Sequence, residues 1–393
     1  MCLHFGDNCV RRFGYGHLRT GARCCVTRQH LEGSGDDQPT ESAREHREGR
    51  YRSVKPSRQR FIALDAMRGL AAAAVMLHHA EQFYGHPSLF AHAYLAVDFF
   101  FMLSGFVINA SYVSRFAQGL SVIGFMQIRG KRLWPTMAIG VALGTVLALM
   151  QGHAWDEVAV DSLAGLSFVP ILRGNLGLFI LDGVEWSLLF ELVANIAHRL
   201  LIWRLRDGTC LLLGICLLLV MADISLTHHG IGVGDRGETF LFGFPRVALP
   251  YLIGVLLQRT WNSGRFRLTW PFIGVVALVP TVLIAAALPQ IAAQWASDLL
   301  IVAFIFPAII WLGAGAEPAP RQAAFGALSG ALSFPLYAIH LPLLGFGELI
   351  ARAVPPLWGI TARLAALMAC ILCAWLIARY VDGSTHPKRA EAA

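Results

Sequence analysis

The run IALDAMRGLAAAAVMLHHAEQF, residues 62–83, decides the fold of this chain, because it is apolar over the length that a bilayer-spanning helix needs. It contains Arg68 and, eleven positions later, His79. At about 100° per residue, eleven steps return to nearly the same helix face, three turns and roughly 16 Å further along. We therefore expect a cation and an imidazole to face one space at two depths of a membrane, where ionisable groups usually mark function.

A simpler interpretation of this pair stays open. Arg68 would extend its guanidinium to the lipid boundary, and His79 would cap the far end of the helix. On the pair alone, the two interpretations are equally compatible with the sequence.

The composition predicts an all-α, polytopic transmembrane bundle with a basic N-terminal arm. The chain is 56% apolar and 15% charged, whereas soluble domains are about 25% charged. We predict a disordered basic extension over residues 1–59, a membrane domain over 60–387 and a short cytoplasmic tail over 388–393. Weak attraction of the arm to anionic lipid head groups is the alternative for the first of these.

About ten segments have the apolar character of spans, and the ten tryptophans fall in or beside their ends, as an interfacial belt would. The predicted spans are residues 62–83, 93–111, 133–150, 186–203, 210–222, 245–257, 270–288, 297–313, 331–350 and 360–380.

Lys and Arg are concentrated in alternate loops, which the positive-inside rule assigns to the cytoplasm. We therefore expect a multi-pass protein of the cell (inner) membrane with both termini cytoplasmic. Residues 162–181 contain Arg173, Asn175 and several glycines, and counting them as a crossing would invert every later loop. We place them outside as a re-entrant or surface segment.

Several ionisable residues fall inside or beside the predicted spans. Arg129 and Arg132 precede the third span with the i, i+3 spacing that puts both on one helix face. That spacing suits bidentate phosphate recognition, although ordinary positive-inside charge explains it as well. Glu191 lies on a polar stripe that begins at Ser187, and a carboxylate there is costlier than simple helix–helix hydrogen bonding requires.

Two further groups complete this set. Tyr337 and His340 form a second stripe with Ser333, and a structural, hydrogen-bonded histidine is as compatible with the pattern as a functional one. Asp98 begins a run with three phenylalanines and falls at the depth of His79. We predict that Asp98 orients or charges the His79 imidazole.

The cysteines predict no metal site. Those in the arm lack metal-ligand spacing, and those in the spans have no nearby histidine. We interpret them as small apolar thiols.

These residues together resemble the motifs of the acyltransferase-3 family of bacterial membrane proteins, in the right order from about residue 61 to 387. The matching elements are Leu64 to Gly69 with the Arg-x10-His pair Arg68 and His79; Val97 to Phe106; Arg129 to Pro135; Trp186-Ser187-Leu188 to Glu191; and Ser333 to His340. Ala66 and Phe334 depart mildly from the family pattern, and Leu192 to Ala194 replace its usual aromatics.

The resemblance implies an O-acyltransferase that moves an acyl group, acetyl first of all, from acyl-CoA to a hydroxyl of a glycan, lipid or secondary metabolite. Arg68, Arg129 and Arg132 would hold the CoA phosphates, His79 would be the general base, and Asp98 or Glu191 would stabilise its imidazolium. Ser187, Tyr337 and His340 would be substrate-binding or structural polar residues. An acyl-imidazole intermediate is the alternative to direct transfer.

The resemblance also bears on partners. Some members carry an SGNH-type esterase-like domain after the last span, and where the acceptor needs that activity a separate periplasmic enzyme would supply it. The bilayer and the acceptor are the other expected partners, and no nucleic acid is expected. A proton-coupled small-molecule transporter or exporter is the alternative function, but such folds usually have internal repeats, which the sequence does not show.

Overall fold

The structure, a computed structural model, describes residues 60–85, 89–264, 268–288 and 293–381. The predicted arm over residues 1–59 and the tail over 388–393 lie outside the described residues. The predicted domain boundaries therefore remain predictions.

The described chain folds into a bundle of α-helices, and its only β pairing is a single bridge between Gly177 and Arg236. We number the helices α1 (Ile62–Tyr84), α2 (Leu95–Ala117), α3 (Val122–Met150), α4 (Trp155–Ser167), α5 (Glu185–Leu200), α6 (Asp207–His228), α7 (Gly243–Asn262), α8 (Phe272–Ala286), α9 (Gln294–Ala314, with a π-helical segment Ile301–Ile305), α10 (Pro320–Ala353) and α11 (Pro356–Tyr380).

The predicted all-α membrane bundle is confirmed. Among the described residues, seven helices are long and apolar enough to cross a membrane: α2, α3, α6, α7 (with the preceding turn from Phe240), α9, α10 and α11. Each of the other three predicted spans also coincides with a helix: α1, which carries Asp65 and Arg68; α5, of 16 residues; and α8, of 15. The count of ten crossings remains a prediction.

The third helix begins earlier than predicted. Ser121 accepts a hydrogen bond from the Gly124 amide at 3.0 Å and caps α3, which then continues through Pro135. Arg129 and Arg132 are therefore held in helical geometry instead of in a loop before the span.

Residues 162–181, predicted to stay on one side, form the end of α4 and an irregular chain after it. At 13 residues, α4 is too short to cross a bilayer. It packs on α3, where the Trp134 indole donates to the Leu166 carbonyl and the Thr145 and Ser162 hydroxyls lie 2.8 Å apart.

Helices α1 and α10 pack closely, because glycines let their backbones approach. A Cβ atom on Gly69 would lie 2.5 Å from the Ser329 carbonyl oxygen, and one on Gly330 would lie 2.7 Å from the Asp65 Cβ. Small residues at such an interface are the usual means of close helix association in membranes.

Two pairs of neighbouring helices run parallel. α1 and α10 run the same way, since Arg68 contacts Ser333 and His79 contacts His340. α2 and α7 also run the same way, since Asp98 pairs with Arg246 and Asn109 with Gln258. These relations are expected if every predicted span crosses and α4 does not.

Candidate active site

Arg68 lies between α1 and α10 and points into the bundle. Its Nε donates to Ser333 Oγ at 2.8 Å, and its Nη2 donates to the Gly330 carbonyl at 2.7 Å. Asp65, one turn earlier on α1, lies 3.6 Å from the same guanidinium. A side chain held in this way does not extend outward to the lipid boundary.

His79 contacts α10 three turns further along. Its Nδ1 lies 2.9 Å from Nε2 of His340, and the two ring centroids are 5.0 Å apart. His340 is fully buried and His79 is half-buried. The His79 ring is therefore directed at the bundle and not at the surrounding lipid, so both members of the Arg68–His79 pair face α10.

Ser187 and Tyr337 lie beside the two histidines. The Ser187 hydroxyl donates to the Val184 carbonyl at 2.9 Å, so the Tyr337 hydroxyl, 2.8 Å away, is the donor to Ser187. The Tyr337 ring lies 5.9 Å from that of His340 and meets Phe100 edge-on. The structure thus brings together the predicted polar residues Ser187, Tyr337 and His340.

Glu191 and Arg129 form a second polar group. Arg129 donates to Glu191 Oε1 at 2.5 Å, and the Ser104 hydroxyl donates to the same oxygen at 2.9 Å. Glu191 is therefore a partner of Arg129, and the described structure gives it no contact with His79.

Arg132 lies one turn after Arg129 and is exposed. Its guanidinium is close enough to those of Arg68 and Arg129 to interact with both electrostatically. The Arg132 side chain makes no hydrogen bond within the part of the chain that the structure describes. The three arginines therefore form one cationic group, in which Arg68 and Arg129 have protein partners and Arg132 is the open member.

The predicted pairing of Asp98 with His79 is wrong. Asp98 instead accepts from Arg246, at 3.3 Å from Nε and 3.1 Å from Nη2, and both side chains are buried. Arg246 also donates to the Val233 carbonyl at 2.8 Å and covers the Trp186 ring at 5.0 Å. The partner of His79 is instead His340, on α10.

Arg246 was missed as a site residue. It stands at the start of the apolar segment 245–257, on the side that the positive-inside rule leaves poor in arginine. An arginine that breaks this rule inside a span was the available signal for a buried partner.

Other buried polar residues were also missed. The Tyr94 hydroxyl donates to Asp298 Oδ2 at 2.6 Å, beside the Arg246–Asp98 pair. Asp182, in the chain between α4 and α5, is 1% exposed, and burial raises the pKa of its carboxyl to about 8. The described residues contain no group of three or more His, Cys, Asp or Glu side chains that could hold a metal ion.

Comparison with known proteins identifies the class. The sequence model of the acyltransferase-3 family, described as an acyltransferase domain, matches residues 61–379. The chain is also similar to protein 2 in the picA locus of Rhizobium radiobacter, with 36% identity over 158 residues, covering 36% of this chain and 81% of that protein. No solved structure gives a significant match.

Because the family match covers most of the chain, the protein belongs to the acyltransferase-3 family. With its apolar helices, it is a multi-pass membrane acyltransferase.

Proposed function

We propose that the protein transfers an acyl group, acetyl in the first instance, from acyl-CoA to a hydroxyl of a glycan, lipid or secondary metabolite, with His79 as general base. One observation carries the proposal. Arg68, in a group of three arginines, and His79 lie on one helix, separated by three turns, and both contact α10.

The arginine group supports an anionic donor. CoA carries phosphates, and guanidinium groups recognise phosphate with parallel, charge-assisted hydrogen bonds. Arg132 is free of side-chain hydrogen bonds within the described structure, so it would be the direct phosphate ligand. Arg68 and Arg129, each already bonded to protein, would add positive charge and shape the site.

The sidedness of the bundle supports the same donor. The short loops at the arginine end are rich in Lys and Arg, and the positive-inside rule puts that end in the cytoplasm, where acyl-CoA is found. The protein would then lie in the inner membrane with cytoplasmic termini. The pantetheine arm would run roughly 16 Å along α1 to bring the thioester to His79.

At His79 the acceptor hydroxyl would lose its proton to the neutral imidazole, the side chain that most often serves as a general base. The hydroxyl oxygen would attack the thioester carbonyl, the C–O bond would form and the C–S bond would break. The imidazolium would then return the proton to the CoA thiolate. Ser187 and Tyr337, hydrogen-bonded to each other nearby, would help to place the acceptor.

The proposed roles of Asp98 and Glu191 differ from the role that the family resemblance implied, which was to stabilise the His79 imidazolium. Because Asp98 holds Arg246 and Glu191 holds Arg129, we propose that they maintain the two ends of the site and do not pair with the imidazolium. Any further reaction of the acceptor on the periplasmic side would need a separate partner enzyme.

The test uses purified protein in lipid nanodiscs with radiolabelled acetyl-CoA and extracts of candidate glycans and lipids. Wild-type protein should release CoA thiol and label an acceptor, whereas His79→Ala should lose about 10² to 10⁴-fold in rate. His78→Ala is the matched control, since His78 bonds instead to Phe90 and Gln82. Near-normal turnover of His79→Ala would remove the assignment. Uptake of solute by vesicles that contain the reconstituted protein, without acyl transfer, would favour a transporter.

A further inference from the structure

The hydrogen bonds of His340 determine which of its ring nitrogens carries hydrogen. Its Nδ1 lies 2.8 Å from the Tyr337 carbonyl oxygen and 3.1 Å from that of Leu336. Carbonyl oxygens only accept, so Nδ1 of His340 must be the protonated nitrogen. In an uncharged ring this leaves Nε2 with a lone pair, directed at α1.

The same argument determines which ring nitrogen of His79 carries hydrogen. Its Nδ1 lies 2.9 Å from that Nε2 and must therefore donate the hydrogen. This contact requires a protonated Nδ1, which leaves Nε2 of His79 as the basic nitrogen.

We propose that His340 is a positioning residue that fixes the His79 imidazole in its Nδ1-protonated tautomer. The inference rests on the proposed function, in which Nε2 of His79 takes the acceptor proton. His340 does not touch the reacting atoms. It orients the base from behind, which is the part a carboxylate plays in serine-hydrolase triads.

This arrangement has a chemical consequence for the transfer step. When Nε2 of His79 accepts the hydroxyl proton, the ring becomes positive, and its Nδ1–H bond to His340 becomes a charge-assisted hydrogen bond. A neutral partner stabilises the imidazolium less than a carboxylate does, so the proton is readily passed on to the departing thiolate. The rigid attachment of His340 to its own helix backbone keeps the lone pair in place throughout.

A purely structural role for His340, tying α10 to α1, makes a different prediction. Any side chain that preserves packing would then serve, and the tautomer of His79 would be irrelevant to the rate. The glycine contacts between α1 and α10 already join the helices independently of the two histidines.

The direct test is nitrogen-15 NMR of histidine-labelled protein in nanodiscs, with the His79 signals assigned by their loss in His79→Gln. Wild-type His79 should be protonated at Nδ1. His340→Gln should preserve this state, because the amide oxygen can accept the same hydrogen, and His340→Leu should shift the ring toward the other tautomer. His78→Gln, whose ring neighbours His79 at 5.2 Å, is the control and should leave the state unchanged.

Turnover provides the second readout. His340→Leu should lower kcat by about 10² to 10⁴-fold with little change in KM for acyl-CoA, and His340→Gln should recover most of that loss. An Nε2-protonated His79 in the wild type, or equal kcat for the Leu and Gln variants, overturns the inference. If instead acyl-CoA is not the donor, all variants lack transfer while the NMR states follow the expected order, so the two failures are distinguishable.

Discussion

The Arg246 guanidinium and the Asp98 carboxylate form an ion pair at 3.1 Å in which the two side chains are 2% and 1% exposed. Two helices far apart in the chain, α2 and α7, supply the charges. The pair lies at the end of the bundle opposite the three arginines, so each end has its own buried polar anchor.

Removing one member of this pair should be costly. Arg246→Met leaves a buried carboxylate without its cation, and the expected loss is about 3–5 kcal/mol of stability. The measurement is thermal unfolding of the protein in detergent. Arg352→Met, which breaks the Glu348 pair from a side chain that is 75% exposed, is the matched control and should cost about 0–1 kcal/mol. Asp98→Asn combined with Arg246→Gln should recover part of the loss, and equal unfolding temperatures for the two single variants would contradict the buried pair.

Arg132, whose side chain makes no hydrogen bond within the described structure, should determine the affinity for acyl-CoA. Arg132→Ala is expected to raise KM for acyl-CoA by about tenfold, since a charge-assisted hydrogen bond contributes about 1.5–3 kcal/mol, with kcat nearly unchanged. Steady-state kinetics over a range of acyl-CoA concentrations give both constants. Lys131→Ala removes the neighbouring exposed charge and should leave KM close to wild type. A fall in kcat alone would remove Arg132 from the donor site.

Asp182 should make stability depend on pH. Burial raises the pKa of its carboxyl to about 8, whereas the unfolded value is near 3.8, so the folded protein holds the proton more tightly. Its stabilising contribution is full below the unfolded pKa and is lost as pH rises through the range from about 4 to about 8. Asp182→Asn keeps the shape without the charge and should flatten this decline in unfolding temperature. The exposed Asp156→Asn should leave the decline as in wild type, and an equally steep decline in Asp182→Asn would refute a protonated Asp182.

The close contact of α1 with α10 should not tolerate a side chain. Gly69→Ala puts a Cβ within 2.5 Å of the Ser329 carbonyl oxygen, and overpacking of this kind costs about 1–3 kcal/mol. Gly214→Ala, at a helical glycine with open space around it, should be neutral or stabilising. Unfolding temperatures in detergent separate the two, and a stable Gly69→Ala would show that the helices can part without loss.

Sequence patterns predict most reliably which residues share one face of a helix. The interval between Arg68 and His79 predicted a shared face, and the structure puts both residues against α10. Hydropathy likewise located the helices, because the bilayer imposes a length on each span. The ends of the helices were harder to predict, since the basic residues and Pro135 concealed the true start of α3 at Val122.

Contacts between side chains on different helices could not be predicted in the same way. Asp98 and His79 share a depth, but depth is one coordinate, and the position of a helix around the bundle is set by packing between distant segments. Asp98 therefore meets Arg246 and His79 meets His340. The choice depended on glycine contacts such as that of Gly105 with the Tyr251 backbone.

The two histidines are separated by 261 positions along the chain, yet one hydrogen bond joins them. During synthesis the first helix enters the membrane long before the ribosome reaches residue 340, and until then the His79 ring lacks its hydrogen-bond partner on α10. A nascent or truncated chain that stops before α10 would therefore be inserted but inert. Under the proposed function, catalytic competence would be acquired late in assembly, and a cell would be spared acyl-CoA turnover by unfinished enzyme.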